Sequence, residues 1–149
     1  MIDSPHQIQT QIAVPNTMLQ KCVNYASIRY GVNPIVIKAI IDVEGGKIGT
    51  LSRNSNGSYD MGVMQINTIH LKAIKNKYPG VGPRELTYKP CINIAIGTWL
   101  LKQRIDEAPS YWVGVASYHS KTPKYRNIYL RKLYVSIKKL LAVRERRMV

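Results

Sequence analysis

The sequence predicts a single, mostly α-helical domain with one short β element or irregular loop. Three features carry this expectation. Apolar residues recur at helical spacing in several separate segments of the 149-residue chain. One of those segments, Ile35 to Glu44, is apolar almost all round, as a helix buried at the centre of a domain must be. Behind it runs a polar stretch, Lys47 to Tyr59, in which Asn54, Ser55, Asn56 and Gly57 are turn residues. A chain of this length buries roughly 70% of its unfolded surface, enough for a core without metals or dense cross-linking.

Taken in order, Asn16 or Thr17 caps a first helix running to about Tyr30. Leu19, Cys22, Val23, Ala26 and Tyr30 form its apolar side and Gly31 its stop. Asn33-Pro34 reads as an N-cap followed by a proline at the first helical position. It opens the buried helix, which Gly45-Gly46 ends. The polar stretch then holds a short hairpin or an irregular loop. Asn67 or Thr68 opens another helix to about Tyr78, stopped by Pro79-Gly80. Pro90 starts a longer helix with an apolar stripe of Ile92, Ala95, Ile96, Trp99 and Leu100. Pro109 breaks the chain, Ser110 caps the segment YWVGVASY, and Thr122-Pro123 begins a basic C-terminal helix. There is no internal repeat and no linker. The domain is expected over residues 16–149, with residues 1–15 a disordered or appended segment.

The formal net charge is +14. Such an excess bears on partners rather than on fold, and suits acidic polymers: nucleic acid, anionic lipid, or a cell wall carrying peptide carboxylates. No nucleic-acid-binding motif accompanies it, so no nucleic-acid partner is expected. Much of the charge lies in KYRNIYLRKLYVSIKKLLAVRERRMV, which reads either as a solvated helix face or as a partner surface. Two cysteines, Cys22 and Cys91, are too few for a disulfide scaffold and form no zinc pattern. His6, His70 and His119 are far apart, so neither a metal nor another cofactor is expected. No apolar run approaches the ~20 residues of a membrane span. The N-terminal MIDSPHQIQTQIAVPN lacks a basic region and an apolar region, so it is no signal peptide; the protein is cytoplasmic or a signal has been removed. A monomer is expected.

The candidate chemistry starts at Glu44. Cleaving a glycosidic bond requires a proton on the leaving oxygen, and a carboxylic acid supplies one near neutral pH when its charged form is disfavoured. The C-terminal end of a buried apolar helix has that effect, through desolvation and through the negative end of the helix dipole. Gly45 and Gly46 leave backbone room for a polymer there. Asp60 follows across the polar loop and is placed to fold back opposite Glu44. Gly62 permits close approach, and the amides of Gln65 and Asn67 suit the N-acetyl and hydroxyl groups of a sugar. Bland readings stand beside these. Glu44 is equally a helix-end carboxylate paired with Lys or Arg, and Asp60 and Asn67 are equally ordinary turn and cap residues.

Three stretches in order, Glu44-Gly45-Gly46, NSNGSYDMGVMQIN and ASYHS, resemble the three motifs of the lytic transglycosylase fold of family 23 glycoside hydrolases. The first maps to Glu44, with Gly45 where Ser is commoner. The second maps to Gly62, Val63, Met64 and Gln65, and the third to Ala116, Ser117, Tyr118 and His119, with His119 where Asn is usual. The likeness spans roughly Cys22 to Tyr134. It is greatest to the small lytic transglycosylases of secretion, conjugation and pilus systems, through the Tyr-His-Ser third motif and the Pro-Cys pair before NIAIGTWLL. The resemblance implies a lysozyme-like α+β fold, a periplasmic location, and cleavage of the MurNAc-GlcNAc bond of peptidoglycan with 1,6-anhydro ring formation. It also implies an apparatus protein as partner. Glu44 would be the catalytic acid and then base; Asp60, by its place in the loop rather than by the resemblance, is expected as a second catalytic carboxylate. Among the substrate-binding residues, Gln65 would hold the sugar, Gly62 and Met64 would shape the groove and Tyr118 would touch Glu44 or the sugar, with Asn67 added for its amide. In that group the two cysteines pair, which here joins Cys22 to Cys91. The alternatives are a lysozyme-type hydrolase using Glu44 and Asp60, and a non-catalytic glycan-binding or docking component.

Overall fold

A computed structural model describes residues 11–148. Its elements run α1 (Asn16–Tyr30), α2 (Pro34–Glu44), β1 (Leu51–Arg53), β2 (Tyr59–Met61), β3 (Ile66–Asn67), a single 3-10 turn (Thr68–His70), α3 (Leu71–Lys77), α4 (Pro83–Tyr88), α5 (Pro90–Glu107), α6 (Tyr111–Ala116) and α7 (Pro123–Arg147). Helix dominates, and the three strands form one small antiparallel sheet in the order β1-β2-β3. This is the mostly α, lysozyme-like architecture expected, and the ambiguous stretch behind Glu44 is a hairpin.

The helix boundaries follow local chemistry. Gly31 takes the left-handed conformation at φ 68°, and its N–H bonds the Ser27 carbonyl to close α1. The Asn33 side chain accepts from the Ile35 N–H at 2.9 Å and Pro34 supplies the first helical φ, so α2 starts where predicted. The single helix expected over 68–78 divides into the 3-10 turn and α3, with the Asn67 side chain capping the turn at Ile69. Helix α4 was not expected. Its signals are Pro83 at the first helical position and Glu85, whose Oε1 accepts from the Gly82 N–H at 2.9 Å.

Helix α2 lies at the centre, with Val36, Ile37, Ala39 and Ile40 buried. It packs against α1 and α7, while α5 packs against α1, α4 and α6. Each large aliphatic side chain taken fully inside, such as Ile37, Ile40, Leu101 or Leu133, stabilises the fold by about 1.5–3 kcal/mol. A disulfide joins Cys22 on α1 to Cys91 on α5 across a sequence separation of 69, the pairing the resemblance implied. Ser136 on α7 donates to Asp42 on α2 at 2.7 Å. Upstream of α1, Ile12 and Ile48 exchange two backbone hydrogen bonds. The expectation of a disordered or appended segment falls, over residues 1–10, outside the described residues. Among the described residues no helix is long and apolar enough to cross a membrane.

Candidate active site

Glu44 is the last residue of α2. Gly45 follows in the left-handed conformation at φ 69°, its N–H on the Ile41 carbonyl, and this ends the helix. The Glu44 side chain is only 12% exposed, yet it lines an open cleft of about 500 Å³. Asp60 of β2, Gln65 and Asn67 of β3 line the same cleft, with Tyr118 and His119 closing it from the chain after α6. The fold thus gathers all three sequence motifs into one wall-to-wall site.

Gly46 does a different job from the one expected. A Cβ at Gly46 would overlap the carbonyl oxygens of Gly62 and Val63, so the absent side chain makes room for the second motif rather than for a polymer. Gly62 stands at φ 67°, and a Cβ there would strike the Leu86 carbonyl and the Asn93 amide. Gly62 and Met64 are both buried, and Met64 packs on the bare backbone of Gly97 in α5. Neither is among the residues lining the cleft; they shape it from beneath.

The floor is pinned by Asn93, a fully buried residue on α5. Its Nδ2 donates to the carbonyls of Met61 at 2.8 Å and Leu86 at 2.7 Å, and its Oδ1 accepts from the Met64 N–H at 2.8 Å. From the other side the Tyr118 hydroxyl donates to the Met64 carbonyl at 2.7 Å. The hydroxyl's proton is thus directed to the loop, while its oxygen can still accept and the residue lines the cleft. Between these ties Gln65 is held at φ 52°, the sole non-glycine with positive φ among the described residues. Its Nε2 turns back to the Gly62 carbonyl at 2.9 Å. Backbone strain of this kind costs of order 1–3 kcal/mol and persists only where the surroundings over-determine it.

The carboxylates sit in unlike settings. Strand register places Asp60 beside Asn67, whose Nδ2 donates to Asp60 Oδ1 at 2.9 Å and to Ser58 Oγ at 3.0 Å. The Asn67 amide is thus committed to the wall. Glu44 is surrounded by aromatic rings. His119 Nδ1 lies 3.8 Å from Glu44 Oε2, too long for a hydrogen bond but within ion-pair reach, and the imidazole stacks on Tyr129 at 4.8 Å. Its approach to Glu44 raises the imidazole above its ordinary value, against the opposing effect of burial. The Tyr129 hydroxyl is buried beside Glu44 without a hydrogen-bond partner among the described residues. Burial and then the Glu44 charge push this phenol far up, and burial with the charges of Glu44 and Asp60 does the same for Tyr118. Both tyrosines therefore remain neutral donors at any working pH. Across the cleft, His70 is pushed down by burial and by Arg104. No group of three or more potential metal ligands occurs among the described residues.

A family model for the transglycosylase SLT domain matches residues 21–132, which contain every element of this site. The chain belongs to the SLT transglycosylase family. Among similar proteins, invasion protein IagB of Salmonella typhimurium strain SL1344 is 30% identical over 130 residues, covering 84% of this chain and 80% of IagB. A peptidoglycan-binding-like protein of Escherichia coli O157:H7 is 31% identical, covering 76% and 74% of the two chains. Protein IpgF of Shigella flexneri is 29% identical, covering 73% and 71%. Membership of the family carries a transglycosylase-like, peptidoglycan-associated function.

Several residues of this SLT domain escaped the sequence reading. Asn93 had a usable signal, a lone amide between Ile92 and Ile94 in an apolar helix, where a buried polar group needs partners. Tyr129, Gln103 and Arg104 had none: they reach the site only through the packing of α5 and α7 around it.

Proposed function

We propose that this SLT domain is a peptidoglycan lytic transglycosylase with Glu44 as its single acid and base. The observation that carries the reading is a nearly buried carboxyl on the wall of an open, polar cleft, flanked by the second and third motifs. Glu44 gives its proton to the glycosidic oxygen between MurNAc and GlcNAc as the C1–O bond breaks. Positive charge gathers at the muramyl C1, where the Asp60 carboxylate, oriented by Asn67, stabilises it. The muramyl C6 hydroxyl then bonds to C1 and yields its proton to Glu44, which closes the 1,6-anhydro ring and restores the acid. No water is consumed. The unpartnered Tyr129 hydroxyl, buried beside Glu44, is available as a donor while Glu44 is ionised. Gln65, with its amide nitrogen on Gly62, keeps its carbonyl oxygen for a sugar hydroxyl or acetamido N–H.

The presence of Asp60 in the same cleft favours one second reading, a lysozyme-type hydrolase in which water rather than the C6 hydroxyl attacks. A periplasmic setting and local opening of the wall for a secretion, conjugation or pilus machine fit the similarity to the invasion protein IagB. They also fit the basic α7, whose exposed Arg131, Lys132, Lys138 and Lys139 lie outside the cleft and leave it a surface for a partner. Clearing of purified peptidoglycan tests the acid. Glu44→Gln should lose roughly 10²–10⁴-fold of the rate, the usual size of an acid–base contribution, with its melting temperature unchanged. Clearing at the wild-type rate would remove Glu44 from the chemistry.

A further inference from the structure

The cleft has a second pole that the cleavage chemistry does not use. Gln103 and Arg104, consecutive on α5, line it together with His70 and Lys121. The Gln103 Nε2 is shut off from solvent and has no acceptor among the described residues. An amide donor left in this state is costly and marks a place where a partner is missing. Beside it, Arg104 meets a carboxylate through one nitrogen only, 3.5 Å from Glu107, which is itself 58% exposed. Lys121 reaches the same Glu107 oxygen at 3.9 Å. One solvated carboxylate therefore faces two cations, and no described residue makes a two-pronged pair with the guanidinium. The carboxyl groups of Glu44 and Asp60 stand in the part of the cleft where the bond is cut. Arg104 and Lys121 make it cationic at this corner.

A neutral sugar polymer has no use for such a corner. A strand in which alternate sugars carry a lactyl carboxyl, or a peptide built on it, does. We propose that Gln103 and Arg104 form a carboxylate-binding subsite that selects glycan bearing acidic muramyl substituents. Arg104 supplies the planar fork that matches a carboxylate's two oxygens, Gln103 turns its amide to donate alongside, and Lys121 adds unforked charge. The inference rests on the glycan-cleaving reading for its substrate, but it concerns binding and stands apart from turnover.

The test is equilibrium binding by calorimetry, using the full chain as E44Q so that no substrate is consumed. Three probes are compared: peptide-bearing muramyl oligosaccharides, amidase-stripped oligosaccharides with free lactyl carboxylates, and stripped oligosaccharides with those carboxylates converted to primary amides. Adding R104Q should weaken binding of a carboxylate-bearing probe at least about tenfold, in line with a lost charge-assisted bond, and leave the neutral amide probe unchanged. Loss confined to the peptide-bearing probe assigns the site to a peptide carboxylate, and loss on the stripped probe to the lactyl group. R104K, which keeps charge without the fork, should fall between. Equal weakening on all three probes, or none on any, overturns the subsite. Wild-type protein that binds selectively but does not cleave would sink the catalytic reading alone, and one that cleaves without selectivity would sink the subsite alone.

Discussion

Replacing Asn93 by alanine probes the joint on which the site's floor depends. The change removes two donors, to the carbonyls of Met61 and Leu86, and one acceptor, from the Met64 N–H, all at 2.7–2.8 Å and fully buried. A net loss of about 1 kcal/mol per bond gives about 3 kcal/mol. The orphaned Met64 N–H and the space left by the amide raise the total to about 3–5 kcal/mol. For a domain of this size each kcal/mol moves the melting temperature by roughly 2–4 °C, so a fall of about 6–20 °C is expected in calorimetry with the disulfide intact. Asn93→Asp is the sharper control. It keeps the acceptor for Met64 but sets a carboxylate against two carbonyl oxygens, and should destabilise at least as much at neutral pH. Because Met64 and Gly62 carry Gln65 at its strained φ, clearing activity should also drop well below the melting point. An Asn93→Ala protein that melts within about 2 °C of wild type would show that the loop is held by something else.

Asp60→Asn should lower turnover about tenfold, ~1.4 kcal/mol of barrier, with little change in melting temperature, since an amide oxygen at position 60 can still accept from Asn67. An unchanged rate would leave Asp60 as a tie between β2 and β3 only. In an NMR titration His119 should titrate above the ordinary imidazole value of 6.5 and His70 below it. In Glu44→Gln the His119 value should fall back while His70 stays put. The sign for stability follows: a raised His119 contributes fully below pH ~6.5 and the contribution is lost as pH rises through its folded value. A His119 that titrates identically in both proteins would refute its pairing with Glu44.

Much of this was legible in the sequence because helix ends are written locally. Asn33-Pro34 and Gly31 fix the joint between α1 and α2 by backbone chemistry alone, and Glu44 could be singled out because a carboxyl at the end of an apolar helix is costly without a task. What was not legible is what depends on distant backbone. Gly46 reads as space for a ligand and Gly62 as a place of close approach, but Gly46 faces the carbonyls of Gly62 and Val63, and what approaches Gly62 is Leu86 and Asn93. Tyr118 was picked out as a site residue, yet its hydroxyl has a backbone partner fifty-four residues away that no local pattern announces. Gln103 and Arg104 look like ordinary polar positions of α5, and only the closure of the cleft by the segment after α6 makes them part of a site.

The central claim is that Glu44 cuts the strand by internal transfer to the muramyl C6 hydroxyl. Mass spectrometry of the soluble products from purified peptidoglycan tests it most directly, with wild-type protein and Glu44→Gln digested side by side. The account predicts muropeptides ending in 1,6-anhydromuramic acid, lighter by one water than reducing-end products, from wild type and none from the variant. Reducing-end products would contradict it in favour of a hydrolase, and an absence of released fragments from wild type would contradict it in favour of a domain that grips the wall without cutting it.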